Sequence, residues 1–255
     1  VTVRKRKPYI AGNWKMNLDR ARSLDLVKTV KGRIGDGSDR EVAFFVPSIY
    51  LADVSAVAQG SPLGVGGQNV WYEENGAYTG ELAPRMLREV GADRVLIGHS
   101  ERRHLLREVE EWMGRKLRAA LDGDLQPIFC IGEKLEERNN NRTDRVIKKQ
   151  LESGFDRVKP EDAHRITVAY EPVWAIGTGE TATVEQVDHA HAVIRKWLTN
   201  KVGEEAETVR ILYGGSVNPD NAKQLMALDT VDGLLVGGAS LQAETLLPII
   251  EYDAS

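Results

Sequence analysis

The segment Ala169 to Gly179, AYEPVWAIGTG, holds the residues of this chain whose types and spacing point most directly to chemistry. Ile166 to Tyr170 is short, apolar and partly β-branched, which predicts a buried strand. Glu171 follows at its carboxyl end, and Pro172 holds that residue extended and ends the element. A carboxylate is thereby held at a strand tip. Pro172, Val173, Trp174, Ala175, Ile176, Gly177, Thr178 and Gly179 then form a largely apolar loop with glycine hinges. Exposed loops are normally polar, so this composition predicts a lid that closes over something. A carboxylate under a water-excluding lid is a candidate general base. A buried loop with a capping glutamate fits the segment equally well, and the segment alone does not separate the two.

The other polar candidates are scattered: Asn13 and Lys15 in GNWKMN, His99, Ser100 and Glu101 in GHSERR, Tyr213 to Ser216 in YGGS, and Val236 to Ser240 in VGGAS. Short apolar runs place them. Strands are predicted at Tyr9–Asn13, Glu41–Pro47, Leu63–Gln68, Arg94–His99, Gln126–Ile131, Ile166–Glu171, Arg210–Gly214 and Gly233–Gly237. Amphipathic stretches lie between; Leu106, Val109, Met113, Leu117 and Ala120 step by three and four, one face of a helix. Strands alternating with helices imply a parallel sheet, and eight units in 255 residues fit an α/β fold closed as a (β/α)8 barrel. An open doubly wound sheet would announce a glycine-rich turn after its first strand; NWKMN has none. No linker or composition break divides the chain, so residues 1–255 are expected to form one catalytic domain.

In such a barrel the strand ends and the loops after them share one mouth. Lys15, His99 and Glu171 would then converge as a charge, a polariser and a base. Gly214–Gly215 and Gly237–Gly238 let bare backbone N–H groups approach a ligand. The second pair opens a short helix whose N-terminus favours an anion. Two such pairs at adjacent strand ends predict a phosphate site, and without a P-loop the ligand is a small phosphorylated metabolite.

Composition excludes several other classes. The net charge is −4, with 34 Lys and Arg against 38 Asp and Glu, which argues against nucleic acid. No eighteen-residue apolar stretch suits a membrane span. The basic start VTVRKRK has no apolar signal core behind it and is expected to be a solvated tail. One cysteine, Cys130, suits a reducing cytoplasm and is expected to be a packing residue.

Along essentially its whole length, in order, the chain resembles the triosephosphate isomerase family: GNWKMN, GQNVWYEENGAYTGE, IGHSERR, FCIGE, AYEPVWAIGTGE, ILYGGS and LVGGASL. The resemblance implies a TIM barrel that interconverts dihydroxyacetone phosphate and D-glyceraldehyde 3-phosphate in glycolysis and gluconeogenesis, with no cofactor and no metal. It implies Glu171 as base, His99 as electrophile, Lys15 and Asn13 facing the substrate, and Glu101 behind the lysine. Gly177, Ser216, Gly237 and Gly238 match the family's phosphate-holding backbone. It also implies a homodimer in which Thr79, on the loop from Gln68 to Glu81, reaches the partner's Asn and Lys.

The chain departs from the family after SERR, where Leu106 replaces a ring and Arg107 a glycine. It also departs at the far lid hinge, Glu180 to Ala182. His99 is expected to act neutral, because a helix starting at Ser100 disfavours a second positive charge. His189 and His191, two apart on a helix, are expected to face different ways. The charged run from Glu133 is expected to be solvated, and Trp174 is expected to anchor the closed lid. A Schiff-base role for Lys15, or a silent phosphate-binding barrel, are the rival readings.

Overall fold

The structure, a computed structural model, describes residues 6–35, 38–178 and 180–253. Arg4 and Lys5 of the basic start and Gly179 of the loop after Glu171 lie outside the described residues. Eight strands close into a barrel in sequence order, every neighbouring pair parallel. They are β1 (Tyr9–Asn13), β2 (Glu41–Val46), β3 (Leu63–Gly67), β4 (Arg94–Ile97), β5 (Gln126–Ile131), β6 (Thr167–Tyr170), β7 (Arg210–Tyr213) and β8 (Gly233–Val236).

All eight predicted strands are present. Six of them stop earlier than predicted, before Pro47, Gln68, Gly98, Glu171, Gly214 and Gly237, and β6 also begins one residue late. At these six positions the chain leaves the ladder to enter the mouth. The helices are α1 (Arg20–Arg33), α2 (Leu51–Ala58), α3 (Pro84–Glu89), α4 (Ser100–His104), α5 (Met113–Asp122), α6 (Leu135–Asn139), α7 (Thr143–Gly154), α8 (Val184–Val202), α9 (Pro219–Met226) and α10 (Ala243–Ile250).

Two apolar layers follow from the alternation of side chains along each strand. Tyr9, Ala11, Ala43, Phe45, Leu96, Ile128, Cys130, Ala169, Leu212 and Leu235 fill the barrel interior. The alternate set, Ile10, Val42, Phe44, Val95, Phe129, Val168, Ile211 and Leu234 among them, packs outward under the helices. The same period of two fixes both ends of the interior. Asn13 and Glu171 continue the inward rows of β1 and β6 at the carboxyl end. Glu41, Arg94 and Arg210 begin the inward rows of β2, β4 and β7 at the other end. There Glu41 bonds both guanidiniums, and these lie 5.4 and 4.5 Å from the centre of the Tyr9 ring.

Three expectations need correction. The helical pattern through Leu106 and Val109 is not a helix: α5 begins at Met113, and Leu106 and Val109 are exposed. Arg107 interrupts the run with φ +62°, a left-handed conformation that costs a residue with a Cβ about 1 kcal/mol. Arg107→Gly is therefore expected to raise unfolding stability by up to about 1 kcal/mol, read by urea denaturation; a loss of stability would contradict the strain. The basic start is not merely solvated either. Arg6 Nε donates to Asp232 Oδ1 at 2.7 Å, and Asp232 also accepts from Arg195 and from the amide of Ile211. The third correction concerns Glu133, which heads the charged run and is fully buried.

Candidate active site

Asn13, Lys15, His99, Glu171, Gly177, Ser216, Gly237 and Gly238 line one cavity of about 230 Å3 at the carboxyl end of the barrel, together with Ile176, Gly214 and Gly215. That is below the ~300–1,000 Å3 of sites for drug-sized ligands, so its occupant is small. Of the predicted catalytic and phosphate-binding residues only Glu101 is absent from this lining; of the predicted lid, Ile176 and Gly177 reach it, and Thr79 does not. A larger groove of about 400 Å3 beside Tyr72 and Arg115 contains none of them.

Each functional side chain is held by a different strand end. Asn13 closes β1 and is buried, and its Oδ1 accepts from the backbone N–H of Lys15 at 3.0 Å. That bond supports Lys15 in a left-handed backbone conformation, φ +53°. Gln68 braces the same turn, donating to the Lys15 carbonyl at 2.8 Å and the Phe45 carbonyl at 3.1 Å. Sequence reasoning missed Gln68; its place one residue past β3 was the available signal. The Lys15 ammonium lies 2.7 Å from Glu101 Oε1. Glu101 itself does not line the cavity.

Glu171 is the most confined of these groups, 1% exposed. Its backbone is clamped between strands: its N–H donates to the Ile131 carbonyl at 2.7 Å. A Cβ at position 132 would sit 1.7 Å from the Glu171 carbonyl oxygen, so only glycine fits there. Its Oε2 accepts from the Ser100 N–H at 3.0 Å, and His99 Nε2 lies 3.0 Å from Oε1. Burial pushes the carboxyl pKa up, but His99, the Ser100 amide and Lys15 outweigh it and hold the group below its ordinary value. At rest it is a parked, ionised carboxylate.

His99 caps α4, and its Nδ1 receives the backbone N–H of Glu101 at 3.3 Å. An accepting Nδ1 carries no proton, which leaves the ring proton on Nε2 beside Glu171. Burial lowers the pKa of His99, but Glu171 and Glu101 raise it further, and the net direction is upward. The carboxylate raises His99 as long as it stays beside the ring. In this arrangement the shift runs toward the charged ring, opposite to the neutral histidine expected from the helix start alone.

Opposite these groups stand the glycine turns. Gly238–Ser240 forms a short 3-10 turn, and Ser240 Oγ and N–H both bond the Gly237 carbonyl. Asn221, in the capping box of α9, donates to the Ser216 carbonyl at 3.0 Å. One carbonyl in each turn, Gly237 and Ser216, is thus already taken by a protein donor.

In the loop after Glu171, Val173–Ala175 makes one 3-10 turn, Gly177 has φ +68°, and Gly177 and Thr178 are exposed. Trp174 packs at its root and donates from Nε1 to Glu133 at 3.0 Å. The Glu133 carboxylate also accepts from Tyr170 OH at 3.1 Å and from Arg138 at 3.2 Å. Tyr170 and Trp174, the partners that enclose Glu133 in place of solvent, lie far along the chain. Cys130 is buried as expected, and burial, aided by Glu171, pushes its thiol well above the ordinary range. His189 pairs with Asp144 at the surface, while His191 is buried against the Thr230 carbonyl. The two histidines do face apart.

Fold and site together define a parallel-barrel enzyme whose mouth joins a carboxylate, an imidazole and an ammonium to a pair of glycine turns. The triosephosphate isomerase family model matches residues 8–253. A triosephosphate isomerase of Endomicrobium trichonymphae is 45% identical over 247 residues, covering 97% of this chain and 99% of the relative. One of Chloroflexus aurantiacus is 46% identical over 248 residues, with the same coverage. The crystal structure of triosephosphate isomerase from Bartonella henselae superposes with a TM-score of 0.88 at 38% identity, over 97% of this chain and 100% of that one. The chain belongs to the triosephosphate isomerase family.

Proposed function

We propose that this single-domain barrel interconverts dihydroxyacetone phosphate and D-glyceraldehyde 3-phosphate, with Glu171 moving the carbon-bound proton. The observation that carries this reading is the convergence of Lys15, His99 and Glu171 on one small cavity with two glycine turns opposite. Substrate phosphate sits against Gly177, Ser216, Gly237 and Gly238. Glu171 leaves the Ser100 amide and takes a proton from the carbon beside the carbonyl. The C–H electron pair forms the enediol double bond, and the carbonyl pair moves onto oxygen. Lys15 and neutral His99 stabilise that oxygen, and donors aimed at developing charge are worth about 10²–10³-fold each. His99 Nε2 gives its proton to that oxygen and regains one from the hydroxyl on the adjacent carbon, so the negative charge passes to the second oxygen. Glu171 then returns its proton to the former carbonyl carbon as the second oxygen re-forms a C=O, which gives the isomer.

A carboxylate with an ordinary pKa of about 4.3 is a weak base for a carbon acid. Closure of residues 172–179 supplies the drier surroundings that strengthen it, and keeps the enediolate from eliminating phosphate.

The working unit we propose is a homodimer in the cytoplasm. Met16, next to Lys15, is 95% exposed, and Ile49 and Leu105 are 76% and 73% exposed. These bare apolar side chains suit a covered surface. Thr79 is exposed on its loop, and a polar cavity of about 170 Å3 opens between Ser48, Gln68, Glu81 and Arg102. A partner's loop tip fits a recess of that kind. Turnover of glyceraldehyde 3-phosphate, coupled to NADH oxidation and followed over a dilution series with light scattering, tests both parts. Activity should fall in step with mass. Full turnover by a monomer contradicts the dimer, and no turnover at any concentration leaves a barrel that only binds phosphate.

A further inference from the structure

We propose that Arg138 is a positioning residue that sets the resting position of the loop after Glu171, acting through Trp174; this rests on the lid reading above. The Trp174 indole is held on two sides. Its edge donates to buried Glu133, and its face lies 5.0 Å beneath the Arg138 guanidinium. Arg138 Nη1 also bonds Glu133 at 3.2 Å, and the backbone N–H of Val173 bonds the Glu133 carbonyl at 3.1 Å. One cation thus stacks on the ring and neutralises the carboxylate that grips the ring's edge.

The other side of Arg138 borders an open cavity with Thr143, Asp144, Gln186 and His189. Gln186 forms the capping box of α8 with Thr183, at the far end of the same loop. The guanidinium on α6 therefore contacts Trp174 at the near root of the loop and shares a cavity with the capping residue Gln186 at the far one. The segment is clamped this way while Gly177 and Thr178 are exposed, so the clamp belongs to the open state. Closure that moves Trp174 breaks the edge bond and the ring contact together. Removing the cation weakens the open state and shifts the population toward closure.

The test uses the full-length protein labelled with 5-fluorotryptophan, with the Trp174 resonance assigned from Trp174→Phe. Arg138→Met keeps the stem and removes the cation. Arg138→Lys keeps the charge but replaces the flat guanidinium with a compact ammonium. Glycerol 3-phosphate, which lacks the carbonyl, is the non-reacting probe. A cation over an indole supports an expected tightening of this probe and a fall in KM of about 2- to 30-fold in Arg138→Met. Arg138→Lys should lie between, with kcat changed by a different factor from KM. The Trp174 resonance should move toward its ligand-bound position.

Unchanged KM, probe affinity and Trp174 resonance, with only a lower melting temperature, would make Arg138 merely structural and overturn the proposal. The two readings fail separately. A wild-type Trp174 resonance that ignores saturating probe sinks the lid itself. One that responds to probe but not to Arg138 sinks only the role of Arg138.

Discussion

Glu171→Gln is expected to cut kcat by about 10²–10⁴-fold, the usual worth of a positioned general base. Glutamine has the same shape and its carbonyl can still accept the Ser100 N–H, so the barrel should fold unchanged. What it loses is the ability to take a proton. Glu171→Asp separates chemistry from geometry: the carboxylate survives but is drawn back by about a methylene. A misplacement of about 1 Å can cost about 10²-fold, so turnover should fall by about that factor with KM changed much less. Coupled-assay kinetics on both variants, with circular dichroism to confirm folding, read these effects. Full turnover by either variant would remove Glu171 from the base role.

Glu41→Gln is expected to cost about 3–5 kcal/mol of stability, because a buried ion pair broken on one side leaves charge uncompensated. Glu41 sits between Arg94 and Arg210, both packed over Tyr9, at the end of the barrel away from the cavity. Arg94 keeps Asp93 as a partner at 3.2 Å, which limits the loss. Burial raises the Glu41 carboxyl, but the two guanidiniums outweigh it and bring it down to about 2 from an ordinary 4.5.

The folded pKa lies below the unfolded one, so this stability is fully present above about pH 4.5 and is lost as pH falls through about 2. Integrated over that gap the linkage is about 3 kcal/mol. Urea denaturation of wild type and variant at pH 7 and pH 3 should show the difference narrowing in acid. Kinetics at pH 7 should stay unchanged, since the cavity is at the opposite end. A loss below about 1 kcal/mol, or one that does not depend on pH, would contradict this account of the barrel floor.

Much of the fold could be read from the chain because its signals are local. Brief β-branched runs separated by helical stretches located all eight strands, and β1 and β5 agree to the residue. The strand tips were less legible, since Gly98, Glu171 and Gly214 look like strand continuations until the ladder is seen to end. The apolar spacing through Leu106 and Val109 misled because periodicity cannot register the left-handed turn at Arg107 between them. Glu133 was misjudged for a different reason. It opens a run of charges, and only packing brings Tyr170 and Trp174, 37 and 41 residues away, onto its carboxylate.

The site was legible where residue type and strand end coincide, as at Asn13, His99 and Glu171. The supports around it were not. Gln68 beneath Lys15, the Ser100 amide under Glu171 and Arg138 over Trp174 act through three-dimensional contacts that carry no sequence pattern. The barrel floor did leave one signal: Glu41, Arg94 and Arg210 each stand first in an apolar strand, facing inward where a lone charge requires a partner.

The most direct measurement is isomerisation of dihydroxyacetone phosphate in D2O, followed by proton NMR for wild type and Glu171→Gln. A proton carried by Glu171 predicts a new C–H bond in wild-type product that holds hydrogen transferred from substrate, with solvent deuterium entering only as far as the carboxyl exchanges before return. It also predicts that conversion and exchange collapse together in the variant. Conversion and exchange that persist at the wild-type rate in Glu171→Gln would contradict a proton carried by Glu171.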